Sequence, residues 1–492
     1  MPHPLLPATR PLPIWRREGI RMLEARLQAL AATPLMDQAG LATARLALAV
    51  APHARRIWVA AGPGNNGGDG LEAAMHLHRW GLDVQVSLLG DGPALATDAR
   101  RALARARAAG TCITQGLPSA PPELGPQDLC IDALIGIGGT RAPQGPLLQA
   151  IEWINGSPAQ VLAIDVPTGL DADSGQSLGS TVQADHTLTF LAAKPGLLMG
   201  HGRDACGTLW LDPLGLPEDA RLWCPPDAEL NPPSQPLPRR HVSHKGSHGD
   251  VAIVGGESVG PHTGMTGAAL LAAQAALHGG AGRVMLSLLG HASPPACPPD
   301  LMRRDLQTLA LSELTVVAGC GGGQAIAPAL GRLLQHSARL VLDADALNRI
   351  AEDPWLQDLL RQRRPRQLPT VLTPHPLEAA RLLGTNTAGV QADRLLAATQ
   401  IAQRLDCCVV LKGSGSVIAT PGELPRINTT GNGLLATGGT GDVLAGLLGA
   451  RLAASAEAWP AACSAVWTHG QAADLWPPGL ALTASRLAER LG

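Results

Sequence analysis

The chain has 492 residues, of which 45% are hydrophobic, and its formal net charge is −2. This length predicts two domains, and the near-neutral charge gives no general attraction to nucleic acid or to an anionic membrane. The 9 cysteines include no CxxC pair, which is typical of reduced intracellular thiols. No apolar run is as long as a membrane span, which needs about 18 residues. Prolines interrupt the N-terminal segment, so it lacks the continuous apolar core of a signal peptide. We therefore expect a cytoplasmic protein without nucleic-acid or membrane partners.

The first half begins with helices and then alternates strands with loops. Apolar positions three and four apart predict helices over about 15–31 and 35–50. Residues 57–70, IWVAAGPGNNGGDG, follow as a short β-prone run and a glycine–asparagine loop, and a helical segment comes next. This is the opening strand–loop–helix unit of a doubly wound α/β sheet. Further strands are predicted within 83–90, 128–140, 159–175 and 185–198.

Polar side chains follow the predicted strand ends of this half. In open α/β sheets, ligands bind beyond the carboxyl ends of the parallel strands. Each of these residues could instead cap a helix or form a turn, but that alternative weakens because they recur on several strands. The residues at or just after strand ends are Asn65, Asn66, Asp69, Asp132, Asp165, Thr168 and Lys194.

Three of these segments carry a specific resemblance. GPGNNGGDG, IDALIGIGGTRAPQG and AIDVPTGLDADSG resemble the signature segments of NAD(P)H-hydrate epimerase domains, over about residues 15–215. The resemblance implies a potassium ion held by Asn66, Asp132 and Thr168, with threonine at a position where serine is usual. A carboxylate, Asp165 or Asp132, would shuttle the proton, and we assign Asp165 as the catalytic residue. The implied substrate contacts are Asn65, Asn66, Gly67, Gly68, Asp69, Gly136, Ile137, Gly138, Gly139, Thr140, Arg141, Ala142 and Asp165.

A proline-rich segment separates the two halves. Residues 215–240 are rich in proline and charge without usable periodicity, which predicts extended or irregular backbone. We expect domains at 1–218 and 241–492, joined by a linker at 219–240.

The second half again alternates strands with glycine loops and helices. Strands are predicted within 243–258, 263–288, 314–323, 339–350 and 369–384, and a hairpin within 407–420. The stretch 434–450, LLATGGTGDVLAGLLGA, combines a glycine loop with an apolar helix. Such a loop presents backbone N–H groups to an anion, and Asp442 in the first helical turn lies within reach of that anion. A plain glycine turn before a buried helix is the alternative.

This half resembles the ADP-dependent NAD(P)H-hydrate dehydratases of the ribokinase-like superfamily. The matching segments are KGSHGDVAIVGG, LDADALN, TPHPLE, KGSGS and ATGGTGDVLAG, in the family's order. The resemblance implies ADP as phosphoryl donor, with magnesium, and Asp442 as the base on the substrate hydroxyl. The implied nucleotide contacts are Lys412, Gly413, Ser414, Gly415, Ser416 and Gly441, and the implied hydrate contacts are Ala268, Gly321, His375 and Asp442. The loop at 319–323 reads GCGGG, where a proline and a leucine are common.

The sequence thus predicts two three-layer α/β/α domains, the N-terminal one Rossmann-like and the C-terminal one ribokinase-like. The predicted function is metabolite repair: the R and S forms of NADHX or NADPHX are interconverted, and the S form is dehydrated with ADP, which gives AMP and phosphate. The alternatives are a ribokinase-like kinase of a small hydroxylated metabolite and a first half that only binds a nucleotide or a partner protein in a regulatory role. We also expect a homo-oligomer.

Overall fold

The chain folds into two compact units. The computed structural model describes residues 1–90, 95–234, 240–260, 263–290 and 297–491. The first unit comprises residues 1–8 and 12–228, and the second comprises residues 9–11 and 229–492. Within the described residues, no helix is both long enough and apolar enough to span a bilayer.

The first unit begins with two short strands and two helices, and strands and helices then alternate from β3 to β5. Its strands are β1 His3–Pro4, β2 Pro13–Ile14, β3 Arg56–Ala61, β4 Asp83–Leu88, β5 Cys112–Gln115, β6 Leu129–Ala133, β7 Gln160–Ile164, β8 His186–Phe190 and β9 Thr208–Asp212. Its helices are α1 Arg17–Leu30, α2 Leu35–Val50, α3 Asn65–Arg79, α4 Thr97–Ala108, α5 Pro146–Gly156, α6 Pro195–Leu198 and α7 Gly202–Ala205.

The sheet of the first unit is doubly wound. Its strand order is β1-β9-β8-β7-β6-β3-β4-β5, and every pairing is parallel except that of β1 with β9. The chain leaves β3 toward β4 on one side and later returns to β6 on the other. Ligands bind at such a topological switch point. Apolar clusters cover both sheet faces, with Ile57, Val59 and Ile131 in one and Trp58, Ala60 and Cys130 in the other. Burial on both faces is what a parallel sheet between helical layers requires.

The second unit contains a longer set of elements. Its strands are β10 Ala228–Leu230, β11 Asp250–Gly260, β12 Thr263–Gly264, β13 Arg283–Gly290, β14 Met302–Arg303, β15 Thr315–Ala318, β16 Arg339–Leu342, β17 Thr370–Leu372, β18 Cys408–Leu411, β19 Val417–Ala419 and β20 Arg426–Ile427. Its helices are α8 Thr266–His278, α9 Ala327–His336, α10 Asp345–Glu352, α11 Pro354–Arg361, α12 Pro376–Leu383, α13 Thr387–Ala392, α14 Arg394–Leu405, α15 Thr440–Ser455, α16 Ala458–Asp474 and α17 Ala484–Glu489.

The second sheet has its own switch point. Strands β14-β13-β11-β15-β16-β17-β18 run in that order and pair in parallel, and β18, β19 and β20 continue antiparallel. The order reverses between β11 and β15, because β13 lies on one side of β11 and β15 on the other. Helices α8, α15 and α16 share an apolar cluster with the sheet residues Val251 and Val317. The two three-layer α/β folds predicted from the sequence are confirmed.

Two local predictions need correction. The helices predicted over 15–31 and 35–50 are present as α1 and α2, but NNGGD is not a loop. Helix α3 begins at Asn65, so these residues form its first turns, and their N–H groups lie at its N-terminus. The predicted linker 219–240 is not wholly irregular. A 3₁₀ helix spans Glu218–Leu222, and β10 also lies within the linker. Residues 235–239 of that segment lie outside the described residues.

Candidate functional sites

A cavity of about 510 Å³ lies beyond the carboxyl ends of β3, β6 and β7. Its polar wall includes Asn65, Asn66 and Asp69 from the start of α3, and Asp165 after β7. Helix α1 adds Arg21 and Glu24, while apolar side chains of α2 and of the segment after β8 complete it. A concave, mostly apolar cavity with a few convergent polar groups is the usual form of a small-molecule site.

Asp165 and Lys194 form an ion pair at the wall of this cavity. The ammonium of Lys194 lies 2.6 Å from Oδ1 of Asp165 and also donates to Thr189 Oγ1 at 2.7 Å and to the Phe190 carbonyl at 2.8 Å. Three acceptors satisfy all three ammonium hydrogens of a fully buried lysine. Asp165 has a positive φ of 65°, and its Oδ2 accepts from the N–H of Ile137. The pair therefore fixes one oxygen of Asp165, while the residue remains part of the cavity wall.

Asp132 lies behind the cavity and is fully buried. Its carboxylate accepts from the Thr168 hydroxyl at 2.7 Å, from the Thr168 N–H at 2.8 Å and from the Leu134 N–H at 3.1 Å. Burial raises the pKa of Asp132 to about 6, although these hydrogen bonds act in the opposite direction. Because Asp132 does not line the cavity, it is less well placed than Asp165 to exchange a proton with a substrate.

The side chain of Asn66 has unsatisfied polar atoms. Both its Oδ1 and its Nδ2 are buried, and neither has a hydrogen-bond partner among the described residues. A Cβ built on Gly136 would lie 2.9 Å from Asn66 Oδ1 and 2.9 Å from Asp165 Oδ2, so this glycine allows the two side chains to approach it from both sides. A buried amide without partners in a native fold calls for a ligand, an ion or a water molecule.

Two further acids, Asp69 and Glu24, line the cavity. Burial, and then the charge of Asp165, raise the pKa of Asp69 well above its ordinary value. The same two causes raise the pKa of Glu24. Carboxyl groups whose pKa values are raised in a cleft are candidates for proton transfer.

The remaining substrate contacts predicted for this unit divide into two groups. Gly136, Ile137 and Gly138 line the cavity, whereas Gly139, Thr140, Arg141 and Ala142 are not part of its lining. Gly67 and Gly68 also do not line it, because they pack against Gly62 and Met36. Their predicted contacts with substrate stay predictions.

In the second unit, the sequence Gly-Thr-Gly-Asp forms the start of α15. Gly439 is the N-cap with a left-handed φ of 90°, and the helix runs from Thr440 to Ser455. Asp442 is therefore in the first turn, as predicted. The carbonyl of Thr440 contacts Nε2 of His469 at 3.0 Å, and burial lowers the pKa of His469 to about 4. A neutral imidazole thus supports a helix N-terminus whose first N–H groups have no partners within the helix.

A chain of charged groups follows the ends of β16, β17 and β18. Lys412 donates to Asp343 Oδ1 at 2.6 Å and lies 4.0 Å from Glu378 Oε2. Glu378 accepts from the His375 N–H at 2.7 Å, and its other oxygen lies 3.2 Å from His375 Nε2. Burial raises the pKa of Glu378 to about 7 and lowers that of His375. Burial acts against the charge of Lys412, but Asp343 and Glu378 raise its pKa, so the lysine is a cation held by two acids.

Asp442 completes this arrangement. The Sγ of Cys320, one carboxylate oxygen of Asp343 and one of Asp442 all lie within 4.8 Å of one another. A Cβ on Gly441 would lie 3.6 Å from Lys412 Nζ, which places the ammonium beside the start of α15. Burial, and then the charge of Asp343, raise the pKa of Asp442 to about 6, while the Cys320 thiol acts in the opposite direction. Among the described residues no cation pairs directly with Asp442, so its carboxylate is available as a base.

The other predicted contacts of this unit lie at its switch point and in the loop after β18. Gly321 has a φ of 57°, and a Cβ there would lie 3.0 Å from the Cβ of Ala268, so these two residues are neighbours. Residues 412–416, which are predicted from the sequence to bind a nucleotide and which we therefore term the nucleotide loop, connect β18 to β19. Within it, Ser416 donates to the Gly413 carbonyl at 3.2 Å.

Several residues of these sites had no role assigned to them from the sequence. Lys194 and Asp343 were visible in the sequence as residues after strand ends, and their hydrogen-bonded pairing with Asp165 and Lys412 gives them a place in the sites. Glu378 lies in the TPHPLE segment, but a glutamate in a first helical turn usually indicates only a cap. Nothing in the local pattern of α1 singled out Glu24.

The fold and these clusters define an α/β protein of two units. The first unit has an acid-rich cavity at its switch point, and the second has a helix N-terminus beside a buried lysine near its own switch point. Comparison with known proteins assigns each half. A family profile described as the N-terminus of YjeF-related proteins matches residues 32–196, and one described as NAD(P)H-hydrate dehydratase matches residues 251–491.

Relatives cover both halves together. The bifunctional NAD(P)H-hydrate repair enzyme of Escherichia coli (strain K12) is 36% identical, over 95% of this chain and 90% of that protein. The enzyme of that name from Coxiella burnetii is also 36% identical, over 94% of each. A solved structure of the ADP/ATP-dependent NAD(P)H-hydrate dehydratase of Bacillus subtilis, co-crystallised with ATP and Mg²⁺, is 29% identical, covers 52% of this chain and 92% of its own, and has a TM-score of 0.44.

The chain therefore belongs to the family of bifunctional NAD(P)H-hydrate repair enzymes. The predicted epimerase and dehydratase halves are confirmed at the level of the family. The alternative of a small-metabolite kinase with a regulatory first half is not supported, since the relatives that span both halves are repair enzymes.

Proposed function

We propose that the first unit interconverts the R and S epimers of hydrated NADH or NADPH and that the second unit dehydrates the S epimer with ADP as phosphoryl donor. The observation that carries the proposal is the position of Asp442, a carboxylate without a direct cation partner among the described residues, in the first turn of α15. Beside it, Lys412 is paired with Asp343. An available base next to a helix N-terminus is the arrangement that phosphoryl transfer to a hydroxyl requires.

The dehydration starts at the C6 hydroxyl of the hydrated ring. Asp442 accepts the proton of this hydroxyl, whose oxygen then attacks the terminal phosphorus of ADP, and the bond to the AMP oxygen breaks. The N–H groups at the start of α15, including that of Gly441, stabilise the charge on the transferring phosphoryl group. The lone pair of the ring nitrogen next expels inorganic phosphate from C6. Loss of a proton from the neighbouring ring carbon restores the dihydronicotinamide.

Within this proposal, residues 412–416 and Gly441 bind the nucleotide, and Ala268, Gly321 and His375 contact the hydrate. Magnesium would neutralise charge on the phosphates of the donor. The carboxylates of Asp343 and Asp442 suit a hard cation, but the Cys320 thiol beside them does not, and Lys412 already contacts Asp343. We therefore expect the ion to be held mainly by phosphate oxygens.

For epimerisation, we assign the proton shuttle to Asp165. The ring nitrogen can expel the C6 hydroxyl as water once a protonated carboxyl group of the cavity donates to that hydroxyl. Water then adds to the opposite face and loses a proton to the carboxylate of Asp165, which gives the other epimer. Asp165 lines the cavity and is oriented by Lys194, whereas Asp132 is buried behind it. Asp69 is a second carboxyl of the same cavity, and its raised pKa suits it to take part in this proton transfer.

We assign the potassium site to Asn66, Asp132 and Thr168. Their oxygens suit a monovalent cation, and the buried Asn66 Oδ1 has no protein partner among the described residues. The close pair of Asp132 and Thr168 supplies one full charge and one hydroxyl. The ion would supply a positive charge that positions the phosphates of the substrate.

The decisive experiment is a repair assay with the intact protein. NADHX is incubated with ADP and Mg²⁺, and the return of dihydronicotinamide absorbance is followed for each epimer. We expect recovery from both epimers, with the R form delayed by epimerisation. No recovery from either epimer would refute the proposal. Faster recovery with ATP than with ADP would show that ATP is the donor.

We further propose that the protein acts in the cytoplasm, in keeping with its unpaired cysteines. We also propose that it is a homo-oligomer, which light scattering would test.

A further inference from the structure

A fully buried arginine lies directly beneath the nucleotide loop. Arg394 is the first residue of α14 and is only 2% exposed. Within the described residues, no carboxylate pairs with it, and burial lowers its pKa to about 10. A cation at a helix N-terminus is also opposed by the helix dipole. Neither the helix nor an ion pair therefore accounts for a guanidinium at this position.

The partners of Arg394 are backbone carbonyls at both ends of the nucleotide loop. Its Nη2 donates to the Leu411 carbonyl at 3.2 Å and to the Lys412 carbonyl at 3.1 Å. The Gly415 carbonyl lies 3.5 Å from the same nitrogen. Its Nη1 donates to Gln391 Oε1 at 2.9 Å. One rigid, planar group thus holds the entry and the exit of a five-residue loop.

The direction of these carbonyls determines where the loop N–H groups point. In a planar trans peptide, the C=O and the following N–H point in opposite directions. Since the carbonyls of Lys412 and Gly415 face the guanidinium, the N–H groups of Gly413 and Ser416 face away from it. Gly413 is exposed and Ser416 is partly exposed, so both N–H groups lie on the side of the loop where they can donate to an anion.

Gly413 shows how closely the arginine fits. Its φ is 138°, and a Cβ there would lie 3.0 Å from both Nη1 and Nη2 of Arg394. The loop backbone therefore packs directly against the guanidinium, and a larger residue would separate them.

We propose that Arg394 is a positioning residue for the nucleotide: it binds the inward carbonyls of Leu411, Lys412 and Gly415 so that the loop N–H groups are preorganised for the phosphates of an adenine nucleotide. Arg394 does not itself touch the ligand. This inference rests on the proposed assignment of the loop to ADP binding, and it adds a residue outside the loop that sets the affinity.

The test compares two buried arginines of the same unit. Arg394→Lys keeps a cation but cannot reach carbonyls at both ends of the loop. Arg363→Lys is the matched control, because Arg363 is 1% exposed and also donates to two carbonyls, those of Leu334 and Ser337. Its third partner is Thr370, the first residue of β17, so it lies at the opposite ends of the strands from the nucleotide loop.

We expect Arg394→Lys to weaken ADP binding about tenfold, as loss of one charged hydrogen bond would, in both calorimetric Kd and KM. The KM for the hydrate and the epimerase rate should stay at wild-type values. Arg363→Lys should lower thermal stability without changing the Kd for ADP. Equal ADP affinity in Arg394→Lys and the wild type, or equal losses in both variants, would overturn the proposal.

A measurement on the wild-type protein covers the case in which Arg394→Lys does not fold. Hydrogen exchange of the peptide spanning residues 412–417 should slow on addition of ADP, because the N–H groups of Gly413 and Ser416 become hydrogen-bonded. Unchanged exchange at saturating ADP would refute the role of the loop and of Arg394 with it. If the wild-type protein binds no ADP by calorimetry, the proposed function fails instead, so the two failures are distinguishable.

Discussion

The ammonium of Lys412 lies 2.6 Å from Oδ1 of Asp343, although the two residues are 69 positions apart in the chain. The pair joins the end of β18 to the end of β16, and β17 lies between them. Because Lys412 neutralises Asp343, Asp442 is left as the acid of the cluster that can accept a proton.

Asp442→Asn should abolish dehydration and leave epimerisation intact. An amide of the same size preserves the packing of the first turn of α15 but cannot accept the hydroxyl proton, which costs about 10²–10⁴-fold in rate. The dehydratase is assayed on the S epimer, and epimer exchange is followed separately by chromatography. Loss of both activities would contradict the independence of the two units.

The dehydratase rate should fall as the pH decreases through about 6, the pKa of Asp442. Below this pH the base is protonated, so kcat should drop about tenfold per pH unit. The Cys320 thiol lies 4.0 Å from Asp343 Oδ2 and within 4.8 Å of Asp442, where it lowers the pKa of Asp442, and burial keeps that thiol protonated. Cys320→Ala should therefore shift the acidic limb of the kcat profile to higher pH, while Cys320→Ser keeps a donor and shifts it less. Superimposable profiles of all three proteins would exclude this contact.

Lys194→Met should impair the epimerase while sparing the dehydratase. The change removes the charged donor to Asp165 Oδ1 and leaves a partly buried carboxylate without its cation, at a cost of about 1–3 kcal/mol in the free energy of unfolding. Thr189→Val is the control, because it removes one acceptor of Lys194 and a long donor to Asp165 Oδ1 at 3.4 Å but keeps the ion pair. Thermal unfolding and epimer exchange are measured for both variants. If both lose epimerase activity equally, the pairing with Asp165 is not the important contact.

Potassium should accelerate the epimerase more than sodium does. Thr168→Val removes the hydroxyl from the proposed ion site and should abolish this difference, whereas Thr168→Ser should retain it. Epimerisation rates in KCl and NaCl at equal ionic strength test the assignment. Equal rates of the wild-type protein in both salts would count against the ion site itself.

Gly439→Ala should destabilise the second unit, because the position has a φ of 90° and a new Cβ would lie 2.6 Å from Leu271 Cδ1. A non-glycine residue in this backbone region costs about 1–3 kcal/mol. Gly438→Ala is the control for stability, since a Cβ there meets no atom within 4 Å. Calorimetric unfolding of the two variants should differ by several degrees, and identical transitions would show that the helix start adjusts freely.

The sequence alone determined the family, both α/β folds and the segments that form the sites. This was possible because the signals are local: a strand, the polar residues after its end and a glycine-rich helix start lie within about 15 residues of one another. Even so, the extent of α3 was misjudged, because asparagine and glycine favour turns and only packing shows that they begin a helix.

Only the tertiary structure decided which residues act together. Lys194 and Asp165 are 29 positions apart, and Arg394 and the Lys412 carbonyl are 18 apart, so strand order and helix packing bring them into contact. The tertiary structure also distinguishes two aspartates that both follow strand ends: Asp165 lines the cavity, whereas Asp132 is buried behind it. The physical reason is that burial and charge pairing are properties of the assembled sheet, and they determine which carboxylate can exchange a proton.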